Sequence, residues 1–230
     1  MGTQSRTAPT PIVCWNCQKV SATAHFCSHC GKLLPMQQGT DYFSLMEMPR
    51  KLWINMQDLE QKYLQLSWKL HPDKFVGASE QERELSLQHS SELNDAYRAL
   101  RDPVGRVEYL LGIEGERKEG EKKQTAPPEL LEEVFELNES LDELREAKSA
   151  GGDLAALKGR LEAAERNFQG KLGEVDDSLQ GTAHEWDEAL DAEADAAARK
   201  RVMTKMNELL NRRSYIRNLV SNVAKELAEA

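Results

Sequence analysis

The sequence predicts a mainly all-α protein: a small N-terminal cysteine module, a helical hairpin, and a C-terminal antiparallel three-helix bundle. Three observations carry this. Of the 230 residues, 30% are charged and only 6% are aromatic, a composition of slim helices with much solvated surface rather than of one large mixed core. Beyond residue 41, apolar residues recur at steps of three and four, the helical period. All four cysteines lie in residues 1–40. That block carries a net charge of +3, residues 41–115 carry −4 and residues 116–230 carry −8, for −9 in all. Such an acidic chain is not expected to bind nucleic acid or an anionic membrane broadly. No apolar run approaches the roughly 18–20 residues of a membrane span. The first residues carry neither a secretory pattern nor a long Arg-rich transit pattern. The expected compartment is therefore a bacterial cytoplasm, or the mitochondrial matrix for a processed chain.

The expected organisation is a module over 1–38, a hairpin unit over 41–115, a charged linker over 116–128 closing in Ala126-Pro127-Pro128, and a bundle over 129–230. In the module, Cys14-x-x-Cys17 and Cys27-x-x-Cys30 stand nine residues apart. Each C-x-x-C turn brings two sulfurs to one ion, and two turns complete the tetrahedral four-thiolate shell that Zn²⁺ favours. Gly31 suits the tight knuckle after Cys30, where a positive φ is often required. The intervening stretch is long enough for a hairpin and too short for a core, so its folding should depend on the metal. Paired disulfides would need an oxidising compartment, and a redox C-x-x-C would need a βαβ context that is absent. His25 and His29 are bystanders to a metal already held by four cysteines. A shell of four thiolates leaves no open position for water, so this zinc is expected to be structural.

In the hairpin unit, Asp41-Tyr42-Phe43-Ser44-Leu45-Met46 opens a short helix stopped by Pro49. From about Asn55, Leu59, Tyr63, Leu66 and Leu70 mark a helix with one buried face. It stops at His71-Pro72-Asp73-Lys74, because proline disfavours helical geometry in the residue before it. Ser79-Glu80-Gln81-Glu82 reads as a capping box. The helix it opens carries Leu85, Leu87, His89, Leu93, Ala96, Tyr97 and Leu100 and ends before Asp102-Pro103. Val107, Tyr109, Leu110 and Leu111 form a last short helix, stopped by Gly112. Pro72 stiffens the turn and presents His71 and Asp73 at one helix end. Lys62 and Lys69, seven apart, fall on the exposed side of the second helix, and Lys74 follows the turn. A catalytic His–Asp dyad would need a nucleophile and a pocket, and an exposed turn around a proline implies neither.

Asp41-Tyr42-Phe43, Leu70-His71-Pro72-Asp73-Lys74-Phe75, Leu93-Asn94-Asp95-Ala96-Tyr97-Arg98-Ala99-Leu100 and Pro103-x-x-Arg106-x-x-Tyr109-Leu110-Leu111 stand in order and at matching spacing over some 70 residues. In these segments the chain resembles the HscB family, the J-domain co-chaperones of iron–sulfur cluster assembly. The resemblance implies that Lys62, Lys69, His71, Pro72, Asp73 and Lys74 dock on a DnaK/HscA-type heat-shock ATPase and promote its ATP hydrolysis. The catalytic chemistry would then belong to the ATPase, and this chain would not be an enzyme. Gln65, Ser67 and Trp68 make the second helix less basic than in many J-domains, which suggests a dedicated chaperone partner.

Three helical runs follow the linker, at about 129–149, 153–180 and 182–228, separated by Gly151-Gly152 and by a break near Gly181. Short connections imply antiparallel neighbours. The first run has more apolar residues than one narrow seam can bury, namely Leu130, Leu131, Val134, Phe135 and Leu137, with glutamates interspersed. The resemblance implies that Leu131, Phe135, Glu136, Glu139 and Glu143 bind an IscU-type iron–sulfur scaffold protein, with Met203 and Met206 as further candidates. It covers roughly residues 41–230, and the cysteine module departs from the shortest bacterial members, which begin at the J-domain. Two other readings of the whole chain are a J-domain adaptor for another client and a cysteine-based metal or redox relay.

Overall fold

The computed structural model describes residues 11–23, 25–37, 39–117 and 127–229. The chain packs as two units, Met1–Gly115 with Ala183–Lys200, and Glu116–Thr182 with Arg201–Ala230. The expected module and hairpin segments thus share one unit, and the expected bundle segment is divided between both. Most of the expected linker, residues 118–126, lies outside the described residues.

In the first unit, strands β1 (Ile12–Val13) and β2 (Val20–Ser21) pair antiparallel, with Val13 opposite Val20. Helix α1 (Tyr42–Leu45) starts where the Asp41 carboxylate accepts the Ser44 N–H at 2.8 Å. Helix α2 (Met56–Leu70) is capped by Asn55, whose side chain accepts from Gln57 and Asp58, and it buries Leu59, Leu66 and Leu70. A 3-10 turn over Pro72–Phe75 leads to helix α3 (Glu80–Arg101), capped by Ser79. Helix α4 (Pro103–Ile113) begins with proline at its first position, under an Asp102 cap that accepts the Gly105 N–H at 2.7 Å. The stripe Leu85, His89, Leu93, Ala96 and Leu100 of α3 is buried, but Leu87 is exposed. Tyr63 stacks on Tyr97 and donates to Asn94 at 2.8 Å, joining α2 to α3. Arg106 is buried and donates to the Leu100 and Leu52 carbonyls, tying α4 to the chain on both sides of the hairpin.

Residues 183–200 complete this unit. Asp187 accepts the backbone N–H groups of Leu52 and Trp53 at 2.7 and 2.8 Å. Trp186 donates to the Arg50 carbonyl at 3.1 Å, Trp53 stacks on His184, and Lys51 pairs with Asp191.

The second unit is built from α5 (Leu131–Ala150), α6 (Ala155–Asp191) as far as Thr182, and α7 (Ala196–Glu229) from Arg201. Its core is Leu130, Val134, Leu137, Leu141 and Leu144 of the first stretch against Leu161, Phe168, Val175, Ile216 and Val223. Helix α5 ends on Gly151, which takes a left-handed φ of 70°. The helix break expected near Gly181 is absent, and α6 runs through to Asp191. A glycine inside a helix costs only about 1 kcal/mol relative to alanine, which neighbouring burial of Leu179, Thr182 and Ala183 can offset. The reversal falls instead before α7, where Asp195 accepts the Ala198 N–H at 2.7 Å.

Candidate functional sites in the cysteine clip, the His-Pro-Asp turn and helix α5

The four cysteines converge as their spacing requires. Their sulfurs all lie within 4.8 Å of one another, with Cys14 Sγ to Cys30 Sγ and Cys17 Sγ to Cys27 Sγ both at 3.7 Å. A tetrahedron with metal–sulfur bonds of about 2.3 Å has sulfur edges of about 3.8 Å, so the donor set fits a tetrahedral ion. The two knuckles repeat one bonding scheme. Cys14 N–H donates to Lys19 O and Gln18 N–H to Cys14 O, while Cys27 N–H donates to Lys32 O and Gly31 N–H to Cys27 O. Each knuckle also turns on a left-handed residue after its second cysteine, Gly31 at φ 71° and Gln18 at φ 59°. The glycine is legible in the sequence and the glutamine is not. For Gln18 to hold this conformation its amide donates to the Trp15 carbonyl at 3.1 Å. Burial raises the Cys27 thiol, but the N–H groups of His29 and Cys30 and the neighbouring thiols outweigh it and bring it down to about 6.

The clip is fastened to the hairpin helices. Lys32 donates to the buried Glu82 at 2.8 Å, and Glu82 itself belongs to the Ser79 capping box of α3. Burial alone would raise Glu82, but Lys32 and Ser79 hold its carboxyl below the usual range. His89 Nε2 meets the Leu34 carbonyl at 2.8 Å, and His25 Nε2 meets the Leu45 carbonyl at 3.1 Å. The two rings stand edge to face at 5.4 Å. His25 and His29 are outside the ligand cluster, as expected.

The His-Pro-Asp turn sits at the closed end of the α2–α3 hairpin, in the connection between the two helices. The Leu70 carbonyl, left without a helical partner at the end of α2, accepts the hydroxyls of Ser86 at 2.6 Å and Ser90 at 3.2 Å from α3. His71 Nδ1 accepts the Asp73 N–H at 3.3 Å, so the imidazole caps the turn that Pro72 begins. Its remaining surface and the Asp73 carboxylate are exposed. Lys69 and Lys74 are exposed as well, but Lys62 is half-buried and reaches back to the Glu47 carbonyl at 3.1 Å. The ammonium of Lys74 lies over the Trp68 ring. Trp68 is 70% exposed and Leu64 is 58% exposed. In the sequence Trp68 stands out only as a residue that makes α2 less basic. Its helical phase, two residues from both Leu66 and Leu70, is the signal that sets it on the solvent side.

On α5, Val134, Leu137, Leu141 and Leu144 face the core, and the surplus apolar residues face out, with Phe135 73% and Leu131 54% exposed. Glu136, Glu139 and Glu143 are exposed beside them. Glu136 and Glu139 line a groove of about 410 Å³ shared with Arg160, Asn167 and Phe168 of α6. Glu143 forms an ion pair with Arg160. Met203 and Met206 are buried and belong to packing.

A helical hairpin closed by an exposed His-Pro-Asp turn, in a chain that also carries a helical bundle with an outward apolar–acidic face, defines a J-domain co-chaperone. The family model for the HSCB C-terminal oligomerisation domain matches residues 126–224. The iron-sulfur cluster co-chaperone protein HscB of Mus musculus is 30% identical over 215 residues, which is 91% of this chain and 80% of that one. A co-chaperone protein HscB homolog of Vibrio atlanticus is 32% identical over 151 residues, 66% of this chain and 85% of the relative. The crystal structure of human co-chaperone protein HscB superposes with a TM-score of 0.64 at 26% identity, covering 95% of this chain and all of that one. The chain belongs to the HscB family of iron–sulfur cluster co-chaperones.

Proposed function

We propose that this chain delivers an IscU-type iron–sulfur scaffold protein to a DnaK/HscA-type ATPase and stimulates that ATPase through the His-Pro-Asp turn, with no catalysis of its own. The observation that carries this is the outward display, in one chain, of two separate faces. One is the turn of His71, Pro72 and Asp73 with Lys69 and Lys74. The other is Leu131 and Phe135 among glutamates 136, 139 and 143. Neither face is needed to close a core. Zinc is the metal proposed for Cys14, Cys17, Cys27 and Cys30, since four thiolates in a closed tetrahedron suit a structural Zn²⁺. Elemental analysis of purified protein tests that identity. Relatives that align over much of the chain come from mouse and from bacteria, so the compartment is either a bacterial cytoplasm or, for a processed chain, the mitochondrial matrix. Cell fractionation reads this directly.

The testing experiment is an ATPase assay with a DnaK-type chaperone, with and without the scaffold. His71→Gln is expected to abolish stimulation while scaffold affinity stays within twofold. Phe135→Ala is expected to weaken scaffold binding at least tenfold, as truncation of a central aromatic anchor does, and to leave scaffold-free stimulation intact. Normal stimulation by His71→Gln would sink the proposal. A second reading follows from the oligomerisation named in the matching domain model: the Leu131–Phe135 face pairs two copies of the chain. Sedimentation separates the two, because self-association lost in Phe135→Ala, with scaffold affinity unchanged, favours the second.

A further inference from the structure

Helix α2 buries Leu59, Leu66 and Leu70 on one side. At 100° per residue, Trp68 stands about 200° from both Leu66 and Leu70, at the middle of the solvent side. Leu64 precedes it by one turn, so the two exposed apolar side chains stack along that face. A tryptophan 70% exposed on a helix contributes little to the packing of its own unit, and a large exposed apolar surface with a polar rim marks an interaction site. The rim here has a definite sign. Gln61 and Gln65 are exposed and uncharged, Lys69 and Lys74 are exposed and basic, and between residues 61 and 79 the only acid is Asp73 of the turn itself. Lys74 also holds the indole from one face, a cation–π contact that fixes the ring before any partner arrives and lowers the ordering cost of docking. Lys62, by contrast, is turned back onto Glu47 and away from this role.

We infer that Trp68, with Leu64 behind it, is the affinity anchor of the chaperone contact and enters an apolar recess rimmed by acidic groups on the DnaK-type ATPase. The inference rests on the proposed role of the His-Pro-Asp turn, which begins three residues later on the same helix end. The division of labour then differs from a purely basic docking helix. Lys69 and Lys74 set the association rate and the salt dependence, the indole sets the dissociation rate, and His71 with Asp73 transmits the signal.

The test titrates full-length protein against a DnaK-type ATPase and reads both the half-saturating concentration and the maximal rate. Trp68→Ala is expected to raise the half-saturating concentration about tenfold or more, with the maximal rate kept and dissociation faster in a binding trace. Trp68→Phe is expected to recover most of the affinity. Lys69→Ala is expected to flatten the salt dependence instead. The melting temperature of Trp68→Ala should match the parent, since the ring is exposed. His71→Gln runs in parallel: if it leaves stimulation intact, the role of the turn fails and the inference with it. If His71→Gln abolishes stimulation but Trp68→Ala leaves the half-saturating concentration unchanged, the anchor alone is overturned. Loss of self-association in Trp68→Ala with unchanged stimulation overturns it too, and assigns the face to a second copy of the chain.

Discussion

His89 is fully buried, and among the described residues only one of its ring nitrogens has a partner: Nε2 donates to the Leu34 carbonyl, while Nδ1 has none. The same holds for His25, whose Nε2 faces the Leu45 carbonyl and whose Nδ1 is likewise unpaired. Each ring is therefore neutral with a proton on Nε2, and a second proton would have no acceptor. Burial lowers the pKa of His89, against the smaller pull of the Leu34 carbonyl and the Glu92 carboxylate. For His25, burial and the neighbouring His89 outweigh Glu47 and bring the value to about 4. A histidine held below its ordinary value of about 6.5 binds its proton more readily in the unfolded chain. The stability it contributes is complete above that value and is lost as pH falls below it toward the lowered native value. Urea midpoints of the first unit should therefore drop between pH 7.5 and pH 5. His89→Gln, whose amide can still donate to Leu34, should show a shallower drop, with His25 supplying the remainder. An unchanged slope in His89→Gln would assign the pH response to other groups.

At the scale of elements, the cysteine clip behaves as a brace for helix α3. Its two strands have two residues each, and its core is Cys14, Cys27 and Leu34, far too little to fold unaided. Its hold on α3 runs through Lys32 to Glu82, at the very turn where Ser79 caps the helix after the His-Pro-Asp segment. Stripping the metal with a chelator, or Cys27→Ser, is expected to speed amide exchange in the clip and in the first turn of α3. Exchange in the core of α5 should stay unchanged. Protection kept in α3 would show that the helix needs no brace. The helices, their caps and the C-x-x-C pairs are legible in the sequence because each is a local signal: a three–four spacing, an Asn55 or Ser79 before the first turn, a proline at position 103. The turn residues His71, Pro72 and Asp73 are legible for the same reason. The Lys32–Glu82 link, the His25–His89 pair and the continuation of α6 past Gly181 are not. Each depends on partners tens of residues away or on burial that outweighs a local propensity. The outward surplus on α5 is half legible: composition shows five apolar residues in eight positions, and only the packing shows that Leu131 and Phe135 are the two left out.

For the molecule as a whole, the division into units does not follow the chain. The hairpin unit is completed by residues 183–200, which come from the end of α6 and the start of α7. Asp187 is only 7% exposed and accepts two N–H groups from the segment that precedes α2. Burial raises its carboxyl, and those two N–H groups pull the other way, which is how an ionised side chain is tolerated there. Trp186, 2% exposed, covers the same segment and donates to Arg50. Arg106 reaches this segment too, through the Leu52 carbonyl. The loop between α1 and α2 is thus held from both sides, and one side arrives from about 135 residues away. A fragment ending at residue 117 would lack that side and leave the Leu52 and Trp53 N–H groups without their acceptor. It is expected to melt well below the first unit of the full chain. Asp187→Ala in the full chain should reproduce part of this loss, about 1–3 kcal/mol for each unsatisfied buried group. Asp187→Asn, which keeps one acceptor oxygen, should lose less. Thermal melts of the three proteins, followed by near-ultraviolet dichroism, order them directly, and a fragment as stable as the full chain would show that residues 183–200 are dispensable to the hairpin.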